Sequence, residues 1–138
     1  MRRIYFAHPM EGKTLDESVK RATEARKLLP EFTLLIPEEW QDTTKFEDIM
    51  ITDLKNLKSA QIVLADLYDV HMEKNGTLIK GVGTFMELGY AIARDKKIIV
   101  ITRQKEHFHP FFLESTVTCV GSLEEACTLI RRLYGLQA

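Results

Sequence analysis

The stretch Gly81-Val82-Gly83-Thr84-Phe85-Met86-Glu87-Leu88-Gly89-Tyr90-Ala91 holds the residue types best suited to chemistry. Its two leading glycines let the backbone turn tightly and bring amides close to a ligand. Thr84 stands where a helix N-cap is expected, and Glu87 three residues on completes an S/T-x-x-E pattern. One reading is a capping box, with Glu87 folded back on its own helix. The other has Glu87 entering a cleft from the first helical turn, where the positive end of the helix dipole favours an ionised carboxylate nucleophile. Gly-x-Gly without a third glycine at the dinucleotide spacing is weak evidence for a nicotinamide cofactor. Asp53 lies beside the apolar helix face set by Leu54 and Leu57, and alone it reads as a solvated charge. Tyr5 falls in an aromatic and branched run, where a tyrosine ordinarily fills the core and its hydroxyl finds a partner. Asp66 ends another apolar run, a place for a ligand-binding acid or a turn cap.

The elements that position these residues alternate. Ile4–Ala7 reads as a buried strand closed by His8-Pro9, and 14–29 as a helix with apolar spacings of three and four, closed by Pro30. Strand 32–36, helix 46–58 and strand 61–66 follow. After a long loop from Leu67 to Val82, in which Asn75-Gly76 signals a hairpin, come helix 83–94, strand 97–102, strand 116–120 and a final helix capped by Ser122. Strands apolar almost throughout, each followed by a helix, imply a parallel sheet covered on both faces. The expectation is one α/β domain over 1–138, a doubly wound, flavodoxin-like (Rossmann-like) sheet of five parallel strands with helices on both faces. Ligands of such sheets sit beyond the carboxyl ends of the strands. That rule selects Ala7, His8 and Pro9, the Pro37–Trp40 segment, Asp66 to Asp69, and Gly81, Gly83, Thr84 and Met86 around Glu87.

Composition narrows the function classes. Of 138 residues, 45% are hydrophobic and 28% charged, the values of a globular chain able to hold a core without staples. Nineteen basic against twenty acidic residues leave a formal charge of −1, so nucleic acid and anionic membranes have no electrostatic footprint here. No apolar run is long enough to span a bilayer, and the basic start lacks the apolar region of a secretory signal. Cys119 and Cys127 make no disulfide framework, and His107-x-His109 reads as a loop pair rather than a metal site. The expectation is a cytoplasmic protein without a metal. Arg131-Arg132 and Lys96-Lys97 read as solvated faces.

Three segments together carry a resemblance. They are Ile4-Tyr5-Phe6-Ala7, Thr52-Asp53-Leu54-x-x-Leu57-x-x-Ala60 and Gly83-Thr84-x-Met86-Glu87-Leu88-Gly89-Tyr90-Ala91. In order and approximate spacing, the chain resembles the nucleoside 2-deoxyribosyltransferase family, which includes the related 2'-deoxynucleoside 5'-phosphate N-hydrolases. The resemblance implies a homo-oligomer that cleaves the N-glycosidic bond of 2'-deoxynucleosides without a metal or organic cofactor. It also implies Glu87 as nucleophile, Tyr5 as the hydroxyl that orients it, and Asp53 as the acid near the nucleobase. Those residue types suit the chemistry. A carboxylate captures the oxocarbenium-like C1' as a covalent deoxyribosyl-enzyme, and a second carboxyl assists the departing base. Trp40 and Phe46 are candidates for the wall that holds the base, and equally for ordinary packing.

The chain departs from the family pattern at three places. Gly81 stands where many members carry an aspartate for the sugar hydroxyls, with Asp69 and Lys80 of the long loop as possible substitutes. Pro9 and Glu11 follow the first strand, so a 5'-phosphate lacks its usual cradle. His109–Leu113 is apolar where transferases often supply an asparagine to a neighbouring subunit. Transfer to a second base is therefore the leading expectation, with hydrolysis of deoxynucleosides or their 5'-monophosphates as the alternative. A receiver-like signalling domain using Asp66 and Thr102 ranks third, because no acidic pair follows the first strand and no lysine follows the fifth.

Overall fold

The computed structural model describes residues 1–9, 15–40, 46–70, 82–107 and 117–137. Five strands form one parallel sheet: β1 (Arg3–Ala7), β2 (Thr33–Leu35), β3 (Ile62–Asp66), β4 (Lys97–Ile101) and β5 (Val117–Val120). Their spatial order is β2-β1-β3-β4-β5, so the direction of winding reverses between β1 and β3. The expected flavodoxin-like fold is what forms. The crevice that such a reversal opens lies at the carboxyl ends of these two strands.

Among the described residues four α-helices cover the sheet: α1 (Leu15–Leu28), α2 (Phe46–Ser59), α3 (Val82–Ala93) and α4 (Leu123–Leu133). Strand side chains alternate between the two layers, as the pleat requires. Ile4, Phe6, Ile62, Leu64, Ile99 and Ile101 pack with Ala22, Ala25, Ala126 and Ile130 on the α1/α4 side. Tyr5, Ala7, Val63, Ala65, Ile98 and Val100 pack with Leu57, Leu88 and Ala91 on the α2/α3 side. Ala7 pairs with Ala65 at the carboxyl end of β1 and β3. Two methyl-sized side chains there keep the sheet surface low on the α2/α3 side.

Local signals explain the helix ends. Ser122 Oγ accepts the Glu125 backbone N–H at 3.1 Å, and Glu125 Oε2 accepts the Gly121 N–H at 3.0 Å, so α4 starts with a reciprocal cap. Asp95 takes a left-handed φ of 55° in the turn between α3 and β4, a conformation that aspartate tolerates better than most residues. Beside it, the Lys96 ammonium donates to the carbonyls of Lys58 at 2.6 Å and Ala60 at 2.7 Å, answering groups at the carboxyl end of α2. Helix α3 differs from expectation. It is already helical at Val82, so Thr84 is an interior residue and Glu87 lies in the second turn. Both cysteines are free thiols. Among the described residues no helix is long and apolar enough to cross a membrane. The Asn75-Gly76 hairpin, Glu11, Lys80 and the 109–113 loop lie outside the described residues.

Candidate active site

Tyr5, Glu87, Asp53 and Trp40 meet on the α2/α3 side of the sheet. Tyr5 occupies the middle of β1, where alternation turns its ring toward α2 and α3 and buries it completely. Its hydroxyl donates a short hydrogen bond to Glu87 Oε2. Glu87 therefore does not fold back on the α3 backbone, and the capping-box reading of Thr84 and Glu87 is overturned. Thr84 is buried, Gly83 is exposed, and Met86 faces outward.

Asp53 projects from α2 and accepts the Trp40 indole N–H at 2.7 Å. Its reading as a solvated helix charge is thus corrected: the side chain is half-buried and held by an aromatic donor. Trp40 in turn lies 6.1 Å from the Tyr5 ring, tilted by 49°, and packs against the α2/α3 core. Its edge is engaged by Asp53, which fixes the plane of the indole.

The electrostatics of this group follow from crowding acids around a buried phenol. Burial pushes the Glu87 carboxyl up to about 7; the Tyr5 hydrogen bond pulls the other way, and the Asp53 charge adds to the rise. Burial also pushes the Tyr5 phenol far above its ordinary value, reinforced by Glu87 and then by Asp53 and Glu38. Tyr5 is consequently a permanent donor, and Glu87 changes charge near neutrality. The expected help from the helix dipole is absent, because Glu87 lies past the first turn, where that field has faded.

The other predicted residues lie apart from this group or beside it. Ala7 and Pro9 are buried at the end of β1. His8 is buried too; its Nε2 bonds Glu38 at 3.0 Å and its ring contacts Phe6. Asp66 alternates onto the α1 side. Arg21 Nε and Nη2 both donate to its carboxylate, the latter at 3.3 Å, and the Tyr68 N–H donates at 3.2 Å. Asp66 thus caps the turn, and the structure does not bring it to Glu87. Thr102 Oγ1 accepts the Gln104 N–H at 3.0 Å. Gly81 and the Phe46 side chain lie outside the described residues. Among the described residues no cluster of three or more His, Cys, Asp or Glu side chains is placed to hold a metal ion.

A hollow of about 350 Å³ lies on the α1 side, lined by Glu17, Lys20, Arg21, Glu24 and Asp69. These five lining residues are all charged and include no aromatic ring to stack on a nucleobase, and Asp69 lies there rather than beside Glu87. Glu38 and Arg21 escaped the sequence reading. Glu38 falls within the Pro37–Trp40 segment that the strand-end rule selects, yet nothing in its type singles it out from Glu39. Arg21 could be found only through the register that sets α1 over β3.

Known proteins share this fold. The structure is similar to that of a conserved protein from Enterococcus faecalis V583 (TM-score 0.71, 18% identity, 96% of this chain and 99% of that one). It is similar to a 2-deoxyribosyltransferase from Bacillus psychrosaccharolyticus (TM-score 0.70, 19% identity, 98% and 97%). A CMP N-glycosidase, BcmB, from Clostridium botulinum shares the fold as well (TM-score 0.63, 18% identity, 96% and 99%). No curated protein matches by sequence. The sequence profile described as "Nucleoside 2-deoxyribosyltransferase" matches residues 4–129, which span β1 to α4 and all four members of the aromatic–carboxylate group. The chain belongs to the nucleoside 2-deoxyribosyltransferase family.

Proposed function

We propose that the protein, as one domain spanning the chain, cleaves the N-glycosidic bond of a 2'-deoxynucleoside and transfers the sugar to another nucleobase. Glu87 is the nucleophile. Its carboxylate attacks C1' as the bond to the base breaks, and the bonding pair leaves with the base. Asp53, on the facing helix, hydrogen-bonds or protonates that base. Tyr5 keeps its proton and holds one Glu87 oxygen, which leaves the other to form the ester. A second base then attacks C1', and Glu87 departs as the carboxylate. The chemistry calls for no metal or organic cofactor. Trp40 supplies an aromatic face beside Asp53 for the base.

The observation that carries this reading is the Tyr5–Glu87 hydrogen bond, which aims the glutamate across the sheet end toward Asp53 instead of at its own helix. Incubation with deoxyinosine and adenine is expected to yield deoxyadenosine, and a slow fluorinated deoxyribosyl analogue is expected to label Glu87. A label elsewhere, or full turnover by a folded Glu87→Ala variant, overturns the assignment. Free base released without any exchange product would identify hydrolysis instead of transfer.

The enzyme acts as a homo-oligomer in the cytoplasm. Support for the oligomer comes from α2 and α3, which expose the large apolar side chains Met50, Ile51 and Met86. Light scattering is expected to give at least twice the chain mass, and a monomer at working concentration would refute it.

A further inference from the structure

Glu38 takes no part in the steps above, yet its side chain and that of His8 are each only 4% exposed. A carboxylate buried so deeply is costly unless its lone pairs are answered. The donor it has is His8 Nε2, 3.0 Å from Oε1 and 2.9 Å from Oε2. One ring nitrogen aims one hydrogen, and the hydrogen-bond geometry is satisfied at Oε1. Oε2 is left buried with no hydrogen-bond partner among the described residues.

The position of this orphaned oxygen is fixed by topology. β1 and β2 run parallel with Tyr5 opposite Leu35, and His8 and Glu38 each stand three residues beyond that pair. Both therefore sit at the carboxyl edge of the sheet, past Tyr5 and Leu35 along their strands. The turn that carries Glu38 is held from below. Glu39 N–H donates to the Ile36 carbonyl at 3.0 Å, Trp40 N–H to that of Pro37 at 3.1 Å, and Arg26 grips the Glu39 carboxylate at 2.6 Å. The Glu38 charge also acts on the Tyr5 hydroxyl, though less than those of Glu87 and Asp53 do, so the carboxylate lies within electrostatic reach of that group.

We propose that Glu38, oriented by His8, is a substrate-binding residue whose Oε2 accepts a hydrogen bond from a hydroxyl of the deoxyribose. The assignment rests on the proposed cleavage of a deoxynucleoside and narrows its substrate class. An ionised carboxylate only accepts, so it suits a hydroxyl and repels a phosphate. The sugar is therefore bound with that hydroxyl free. A 2'-deoxynucleoside offers two such groups, at C3' and C5'.

The test measures binding, separately from turnover. In a Glu87→Gln background, calorimetry follows the tighter binder of 2'-deoxyinosine and 2'-deoxycytidine, together with its 3'-deoxy and 5'-deoxy analogues. Each ligand is titrated with Glu38 present and after Glu38→Ala, with thermal melting as the control for folding. Removing Glu38 is expected to weaken the parent nucleoside about tenfold, the scale of one hydrogen bond to a charged group. One analogue is expected to show that same loss while Glu38 is present and no further loss after its removal. That analogue identifies the hydroxyl. Should Glu38→Ala fail to fold, the near-isosteric Glu38→Gln is expected to show the same ligand dependence at about threefold. Equal binding by both forms, or losses that simply multiply, overturns the proposal. Glu38-dependent binding without turnover by the native enzyme would end the glycosidic reading and keep this one. Turnover with Glu38-independent binding would do the reverse, and the absence of binding by either nucleoside overturns both.

Discussion

Thr84–Glu87 and Ser122–Glu125 share one short sequence pattern, and these two copies fold to different ends. Ser122 and Glu125 form a reciprocal cap at the start of α4, with the Glu125 carboxylate accepting from the Gly121 N–H just before the N-cap. Thr84 and Glu87 do not, because α3 is already helical at Val82 and a buried phenol competes for the glutamate. Glu125 answers backbone N–H groups close to water. Glu87 exchanges that solvation for a neutral hydroxyl and a neighbouring acid, and its proton affinity rises. A carboxylate that only punctuates a helix has no need of such surroundings. The environment of the glutamate, rather than the spacing around it, separates the two roles.

The largest expected effect is on turnover. Glu87→Gln should reduce glycosidic cleavage on the order of 10³-fold while the protein stays folded, measured as release or exchange of base. An equal loss from Glu125→Gln would erase the contrast. The next effect is on stability. Glu87 ionises at about 7 in the folded protein against an ordinary 4.5. Below pH 4.5 both states hold the proton and the burial costs nothing. Between 4.5 and 7 only the unfolded state releases it, so stability falls as pH rises, and above 7 the loss is complete, roughly 3 kcal/mol. Glu87→Gln should therefore raise the melting temperature at pH 8 and leave it unchanged at pH 4, and an equal shift at both values would contradict the buried carboxylate.

Smaller effects sharpen the same comparison. Trp40→Phe keeps an aromatic face but removes the donor to Asp53. It should lower kcat/KM about fivefold, near 1 kcal/mol, with the loss concentrated in kcat if Asp53 assists the leaving base. Ser122→Ala should cost about 1 kcal/mol in chemical denaturation and leave turnover alone. A change in turnover there would mean that the two ends of the molecule are coupled.

Much of this architecture was legible in the amino-acid order. Runs such as Ile98–Ile101 and Ile62–Ala65 are apolar on both faces, which only a covered parallel sheet satisfies, and Pro30 and Ser122 mark element ends by local chemistry. Tyr5, Asp53 and Glu87, which the structure brings together, were singled out only through a resemblance; their own patterns pointed to core filler, a surface charge and a cap. What failed was local reasoning about side chains whose partners lie far along the chain. Glu87 meets a residue 82 positions away and Asp66 one 45 positions away. Asp66 illustrates the limit of the strand-end rule. The rule puts it at the correct edge, while alternation turns it to the α1 side, where Arg21 is waiting. His8 and Glu38 are similar: neither predicts burial alone, and register makes them a pair.

Lys96 gives one last consequence. Its ammonium fastens the lower end of α2 to the strand that follows α3, the two helices that carry Asp53 and Glu87. From Lys58 to Asp53 the helix rises about 7–8 Å, so a tilt of about 5° about that rivet would shift the Asp53 backbone by about 0.7 Å. Misplacement on the scale of 1 Å is enough to slow a positioned reaction about a hundredfold. A side chain in the turn before β4 thus anchors the base of the helix from which Asp53 projects.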